Sequence, residues 1–292
     1  MSAIEIPRQD DPGGRGPRWL VLFRKPQTVA LVTVLVLSIF AWTALLWEAA
    51  RDGLSAQALW SAVCRPVGLT GDGFSVAPGD IALALAMWTA MSLAMMLPTA
   101  APMIVTYGDL AETAREKGRR VASPLWIVAG YSAVWIAISV VAVALQSAVV
   151  AAWAVAELPA RLGLAIAGVL IGAAGLYQFS DLKHACLTAC RNPFVTLFGR
   201  WTETPAGVFR LGLREGVNCL GCCWALMGIL IVAGAMNVVW MALFSILMTA
   251  EKMTAGRALP YGIGLLLITA GGALGIAAAG PDNIVAWLTA RP

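Results

Sequence analysis

Six stretches without a single Asp, Glu, Lys or Arg dominate this chain: residues 26–47, 81–108, 121–156, 162–180, 216–250 and 258–281. A helix crosses the hydrocarbon core of a bilayer with about 20 apolar residues, so each stretch is long enough to span it. Only 12% of the 292 residues are charged and 60% are hydrophobic, whereas a soluble domain coats itself with roughly a quarter charged residues. That excludes a cytosolic enzyme, a secreted disulfide scaffold and a disordered chain. The expected fold class is all-α, a polytopic transmembrane helix bundle.

Two of the stretches are long enough to hide a hairpin. Residues 121–156 carry Pro124 and Gly130 only near their start, which predicts one long tilted helix with Trp153 at an interface. Residues 216–250 instead hold Gly234, Ala235, Met236 and Asn237 at their midpoint, a turn-forming string that predicts two short crossings. The count is then about seven spans, with six as the alternative. Arg8, Arg15, Arg18, Arg24 and Lys25 precede the first span. Placing that end in the cytoplasm puts 16 of the 20 Lys and Arg residues inside in the seven-span arrangement, the bias expected of cytoplasmic loops. Residues 1–25 are expected to be a disordered basic cytoplasmic tail, and 26–290 a single transmembrane helical domain, multi-pass in a bacterial inner membrane. Between the fourth and fifth spans, Pro193 to Trp201 could form a short interfacial helix with Phe194, Leu197, Phe198 and Trp201 on one face, or a packed connecting loop.

Five of the six cysteines fall within the 38 residues from Cys186 to Cys223. Cys186 and Cys190 are four apart and share a helical face with Lys183. Cys219, Cys222 and Cys223 stand at i, i+3 and i+4, and Met227 extends their stripe by a turn. Both groups lie near the cytoplasmic ends of consecutive antiparallel spans, so the two faces are placed to meet. Soft sulfur donors select Cu(I), Zn(II) or an iron–sulfur cluster, whereas Mg(II) and Ca(II) want oxygen. A reducing cytoplasm would keep the thiols free. Inert cysteines packed as small hydrophobes are the plainer alternative. Cys64 stands alone in an outer loop.

His184 is the only histidine. It lies about 160° around a helix from Cys186, so it joins the thiols as a ligand only if the helix has ended there. A single imidazole excludes a haem pair, a multi-histidine copper centre and the usual diiron site. In the second span Met87, Met91 and Met95 form one stripe, and Met96 and Met103 lie on a neighbouring one. Such stripes serve as adaptable packing or as a soft-metal path, with Met91 and Met95 the candidates. Pro98 and Pro102 interrupt the same helix, which a membrane tolerates only where neighbours satisfy the freed carbonyls. Glu251 and Lys252 read as a surface pair capping the sixth span. No carboxylate falls in the middle of a span, which argues against a proton-coupled transporter. Phosphate-binding loops, nucleophile elbows and zinc protease motifs are absent, and nothing suggests nucleic acid.

MWTAMSLAMMLPTAAPM, GLYQFSDLKHACLTACRNP, NCLGCCWALM and MNVVWMALFSILMTAEK, in that order, resemble the family of bacterial integral membrane proteins described as predicted metal-binding, otherwise a domain of unknown function. The resemblance implies a polytopic inner-membrane protein with a metal site at the cysteines and no settled reaction. The reading favoured is a membrane protein that binds a soft transition metal, Cu(I) ahead of Zn or an iron–sulfur cluster, through Cys186, Cys190, Cys219, Cys222 and Cys223, for metal handling or delivery. Its partners would be the lipid bilayer, the metal ion and a soluble protein or a second copy. The alternatives are a membrane redox metalloenzyme or its subunit, and a structural or transport bundle with inert cysteines.

Overall fold

The computed structural model describes residues 26–51, 78–156, 160–233 and 238–280. The expected basic tail, Cys64 and the turn at Gly234 to Asn237 lie outside the described residues, as does the side chain of Trp153. Among the described residues the chain is entirely helical: α1 (Pro26–Arg51), α2 (Pro78–Met96), a single 3-10 turn (Pro98–Ala100), α3 (Ala101–Glu116), α4 (Leu125–Ala156), α5 (Ala160–Tyr177), α6 (Asp181–Arg191), α7 (Pro193–Phe198), α8 (Pro205–Ala233), α9 (Val238–Met253) and α10 (Ala258–Ala279). Four segments are long and apolar enough to cross a membrane: Gln27–Trp47, Pro78–Glu116, Leu125–Val149 and Ala258–Ala279. The number rises to five if α5 and α6, bent by 61° at their junction, count as one broken span. The stretch from Leu125 to Ala156 is one uninterrupted helix, as its late-unbroken apolar run predicts. The 216–250 stretch falls on two helices, α8 and α9.

Helix ends follow local chemistry. The bend between α5 and α6 is fixed by Ser180, whose extended backbone ends one helix while its hydroxyl accepts the Lys183 N–H of the next. Asp181 in that first turn complements the helix dipole. The break after α2 is the work of Pro98. Lacking an N–H, it leaves the Ala94 carbonyl without its intrahelical donor, and Trp42 Nε1 of α1 donates to that oxygen at 3.2 Å. Ala100 N–H turns back to Leu97 O, which frees the Met96 carbonyl. Tyr131 of α4 donates to it at 2.9 Å and Thr99 at 2.7 Å. Neighbouring helices thus satisfy the carbonyls that the prolines release, as an interior position requires.

Small residues let the helices close on one another. A Cβ on Gly130 of α4 would collide with the Phe209 carbonyl of α8, and one on Gly212 with the Ile127 carbonyl of α4, so these two backbones run in direct contact. The pair α5 and α10 is joined the same way: a Cβ at Gly168 would stand 2.7 Å from Gly271 O, and one at Gly175 2.8 Å from Gly264 O. The glycines of GIGLLLITAGGALG therefore serve close helix packing. Polar contacts between α2 and α4 are few and specific: Trp88 Nε1 donates to Gln146 Oε1 at 2.7 Å, and Ser92 meets Ser139 at 3.3 Å. The short helix α7 forms over Pro193–Phe198 and stops short of Trp201, and the four aromatic and leucine positions divide. Leu197 is buried and Trp201 stacks on Tyr107, while Phe194 and Phe198 stack on each other in the open.

Candidate metal centre

The centre is assembled on the middle of α8. The i, i+3, i+4 spacing of Cys219, Cys222 and Cys223 places their three Sγ atoms within 4.8 Å of one another, and all three residues are buried. Two sulfurs bound to one ion at about 2.3 Å each stand roughly 3.8–4.0 Å apart, so small side-chain adjustments bring the trio to a common ion. Cys222 and Cys223 each donate an S–H to the Cys219 carbonyl, at 3.1 and 2.8 Å. Thiols are weak donors, and these bonds are cheaply given up.

A fourth sulfur arrives from the broken helix. Met96 Sδ lies 3.9 Å from Cys219 Sγ and 3.7 Å from Cys223 Sγ, already the separation of two ligands on one ion. Met96 is the last residue of α2, just before the turn that Pro98 forces. The donor set is therefore three thiols and a thioether with no oxygen, a combination suited to Cu(I) and unsuited to Mg(II) or Ca(II).

Cys219 carries a second group of contacts. The Tyr131 hydroxyl of α4 lies 2.9 Å from its Sγ and shares its one proton between that sulfur and the Met96 carbonyl, and Lys252 of α9 donates to it at 3.0 Å. Lys252 also donates to Thr99 Oγ1 at 2.8 Å. The ammonium makes this sulfur the acceptor of a charge-assisted hydrogen bond. Glu251 and Lys252 are therefore not a surface pair. Glu251 is 2% exposed and turns away to Lys183 of α6, whose ammonium meets its carboxylate at 2.7 and 3.0 Å. Arg191 adds two donors to the Glu251 carbonyl, at 3.1 and 2.7 Å, capping the C-terminal end of α9 with a positive charge.

Cys186 and Cys190 reach the same place from α6. Cys190 is hydrogen-bonded through its side chain to Cys222. Cys186 Sγ lies over Gly221, where any Cβ would come within 2.5 Å of it, so the glycine is what admits α6 to this face of α8. Both thiols are half-buried, unlike the trio. The two cysteine groups thus meet.

The remaining candidates lie apart from these contacts. Met91 and Met95 are packed in the helix core, and Met227 is buried one turn beyond Cys223. α6 continues to Arg191, so His184 stays on the opposite face from the thiols, with its ring edge-on to Tyr261 of α10 at 5.3 Å and Nε2 buried without a hydrogen-bond partner. Sequence reasoning missed Met96, Tyr131 and Lys252. Met96 is the last residue of α2, on the stripe beside Met91 and Met95, and only the packing of the helices shows that this stripe is the one that meets the thiols.

A family model described as copper chaperone, PpoB2, matches residues 85–274. The chain belongs to this copper chaperone family. The matched span contains each of the sulfurs described above together with Tyr131, Lys183, Glu251 and Lys252. Searches of curated proteins and of solved structures gave no match. Membership of the copper chaperone family and the cysteine cluster agree on the handling of copper as this chain's business.

Proposed function

We propose that this protein holds Cu(I) as cargo at Cys219, Cys222, Cys223 and Met96 and passes it to or from Cys190 and Cys186, within the bacterial inner membrane. The single observation that carries the reading is the sulfur cage: three thiols within 4.8 Å, with a thioether 3.7 and 3.9 Å from two of them. Copper is preferred to zinc or an iron–sulfur cluster because a thioether is a soft donor that suits Cu(I). The half-buried pair on α6 supplies the exchange step. A cargo ion must leave as readily as it enters, and Cys190 in contact with Cys222 lets one sulfur replace another without an uncoordinated intermediate. His184, Met91, Met95 and Met227 lie apart from the cage, and no contact gives them a part in this reading. A soluble acceptor protein or a second copy would dock beside α6.

Loading the purified protein with Cu(I) in the absence of oxygen and recording X-ray absorption at the copper edge tests this. One ion per chain with a shell made only of sulfur is expected, and Met96→Leu should remove one sulfur from that shell. A shell rich in nitrogen or oxygen, or no retained copper, would overturn it.

Residence in a membrane is supported by what the helices leave uncovered. Ile39 and Phe40 on α1, Val141 on α4, Val169 on α5, Ile246 on α9 and Leu266 on α10 are each at least 60% exposed, an apolar surface far beyond what a monomer keeps in water. The proposed arrangement has seven spans, with α8 and α9 as the fifth and sixth, the N-terminus and the copper site towards the cytoplasm, and residues 26–290 as one domain preceded by a basic tail. A reporter fused after Pro292 should then be active only in the periplasm. Cytoplasmic activity would restore the six-span arrangement.

A further inference from the structure

We infer that Lys252 is a tethered cation that biases the sulfur site towards singly charged soft ions and against doubly charged ones. The inference rests on the copper reading and deepens it by naming what sets the ion's charge. Lys252 Nζ donates to Cys219 Sγ and to Thr99 Oγ1, so its acceptors are one of the site's own sulfurs and a hydroxyl. The adjacent carboxylate does not offset it, because Glu251 is engaged by Lys183 at 2.7 Å in a buried pair. The position is built rather than incidental. Thr99 belongs to the 3-10 turn that follows Met96, and its own hydroxyl donates to the Met96 carbonyl, so the segment that delivers the thioether also holds the ammonium.

An ammonium has no lone pair and cannot itself be a ligand. Its effect on a bound ion is Coulombic and proportional to the ion's charge. The three thiols, as thiolates, attract any cation, and a divalent one most strongly. Next to Cys219, the fixed positive charge of Lys252 opposes Zn(II) twice as strongly as Cu(I). Whatever preference the sulfurs have alone, the lysine moves it towards the monovalent ion.

The test is a ratio measured on one protein. Wild type, Lys252→Gln, Lys252→Leu and Lys252→Arg, purified full-length in detergent, are titrated anaerobically with Cu(I) and separately with Zn(II) against chromophoric chelators. Removing the charge should raise the affinity for Zn(II) relative to Cu(I) by about tenfold or more in both the Gln and Leu variants, while Arg keeps the wild-type ratio. A purely structural role would weaken both ions together and leave the ratio within about twofold of wild type, which would overturn the inference. So would Arg behaving like Gln. If wild type binds Zn(II) but no Cu(I), the copper reading itself falls and the inference with it. If wild type binds Cu(I) and the ratio does not move, the inference alone fails.

Discussion

Replacing Cys219, Cys222 and Cys223 together by Ser should abolish Cu(I) retention, whereas replacing Cys186 and Cys190 should leave a bound ion and slow its exchange. The size of the first effect follows from the number of donors. Sulfur-rich structural sites hold a divalent ion with about 10–16 kcal/mol spread over four ligands, so each is worth roughly 3 kcal/mol, or about a hundredfold in affinity. With all three gone the cage keeps only the Met96 thioether, and Cys186 and Cys190, half-buried and outside it, are expected to pass an ion on without retaining it. The second effect is smaller because Cys186 and Cys190 are half-buried on α6, outside the trio that lies within 4.8 Å. Copper analysis after gel filtration separates the cases, and the rate of transfer to a thiol chelator measures exchange. If the α6 variant loses copper as completely as the α8 variant, the division into a holding set and an exchanging pair is wrong.

The largest effect on stability is expected at Lys183 and Glu251. Their side chains are 1% and 2% exposed and 2.7 Å apart. Removing one partner strands the other charge away from water, at a cost of about 3–5 kcal/mol. Lys183→Met should therefore unfold at markedly lower temperature than wild type in the same detergent. The double variant Lys183→Met with Glu251→Leu removes both charges, and replacement of a buried pair by apolar residues is often neutral or stabilising, so it should recover most of the loss. Thermal unfolding followed by helical circular dichroism checks both. A double variant as unstable as the single one would mean that the stranded charge is not what does the damage. Because Arg191 also joins these helices through the Glu251 carbonyl, the link survives in both variants and the comparison isolates the charge.

Much of this arrangement is legible in the sequence, for identifiable reasons. Charge-free runs locate helices because a long apolar stretch has no other way to satisfy its backbone in an apolar surrounding, and α1, α4 and α10 follow those runs closely. The spacing of Cys219, Cys222 and Cys223 on one face depends only on local helical geometry, so their convergence could be anticipated from α8 alone. Pro98 announced a break and a need for outside donors, and Trp42 and Tyr131 supply them. What could not be read depends on how helices rotate against one another. Lys252 and Glu251 are sequence neighbours at a helix end, where a solvated pair is the ordinary expectation. Only packing shows that they diverge, one towards Cys219 and the other towards Lys183. Met96 is a similar case, since only helix packing shows whether its stripe or that of Met95 meets the thiols.

The break at Pro98 also bears on the order in which the centre can come together. Cys219, Cys222 and Cys223 lie within five consecutive residues, so bringing their sulfurs together closes almost no loop and needs only that α8 be helical. Met96 is separated from Cys219 by 123 positions and from Cys223 by 127, and its arrival waits on the entropy of closing that whole length of chain. In the proposed cage the three thiols can thus converge as soon as α8 is helical, whereas the thioether joins them only once α2 has docked, so a complete four-sulfur shell would mark a finished fold.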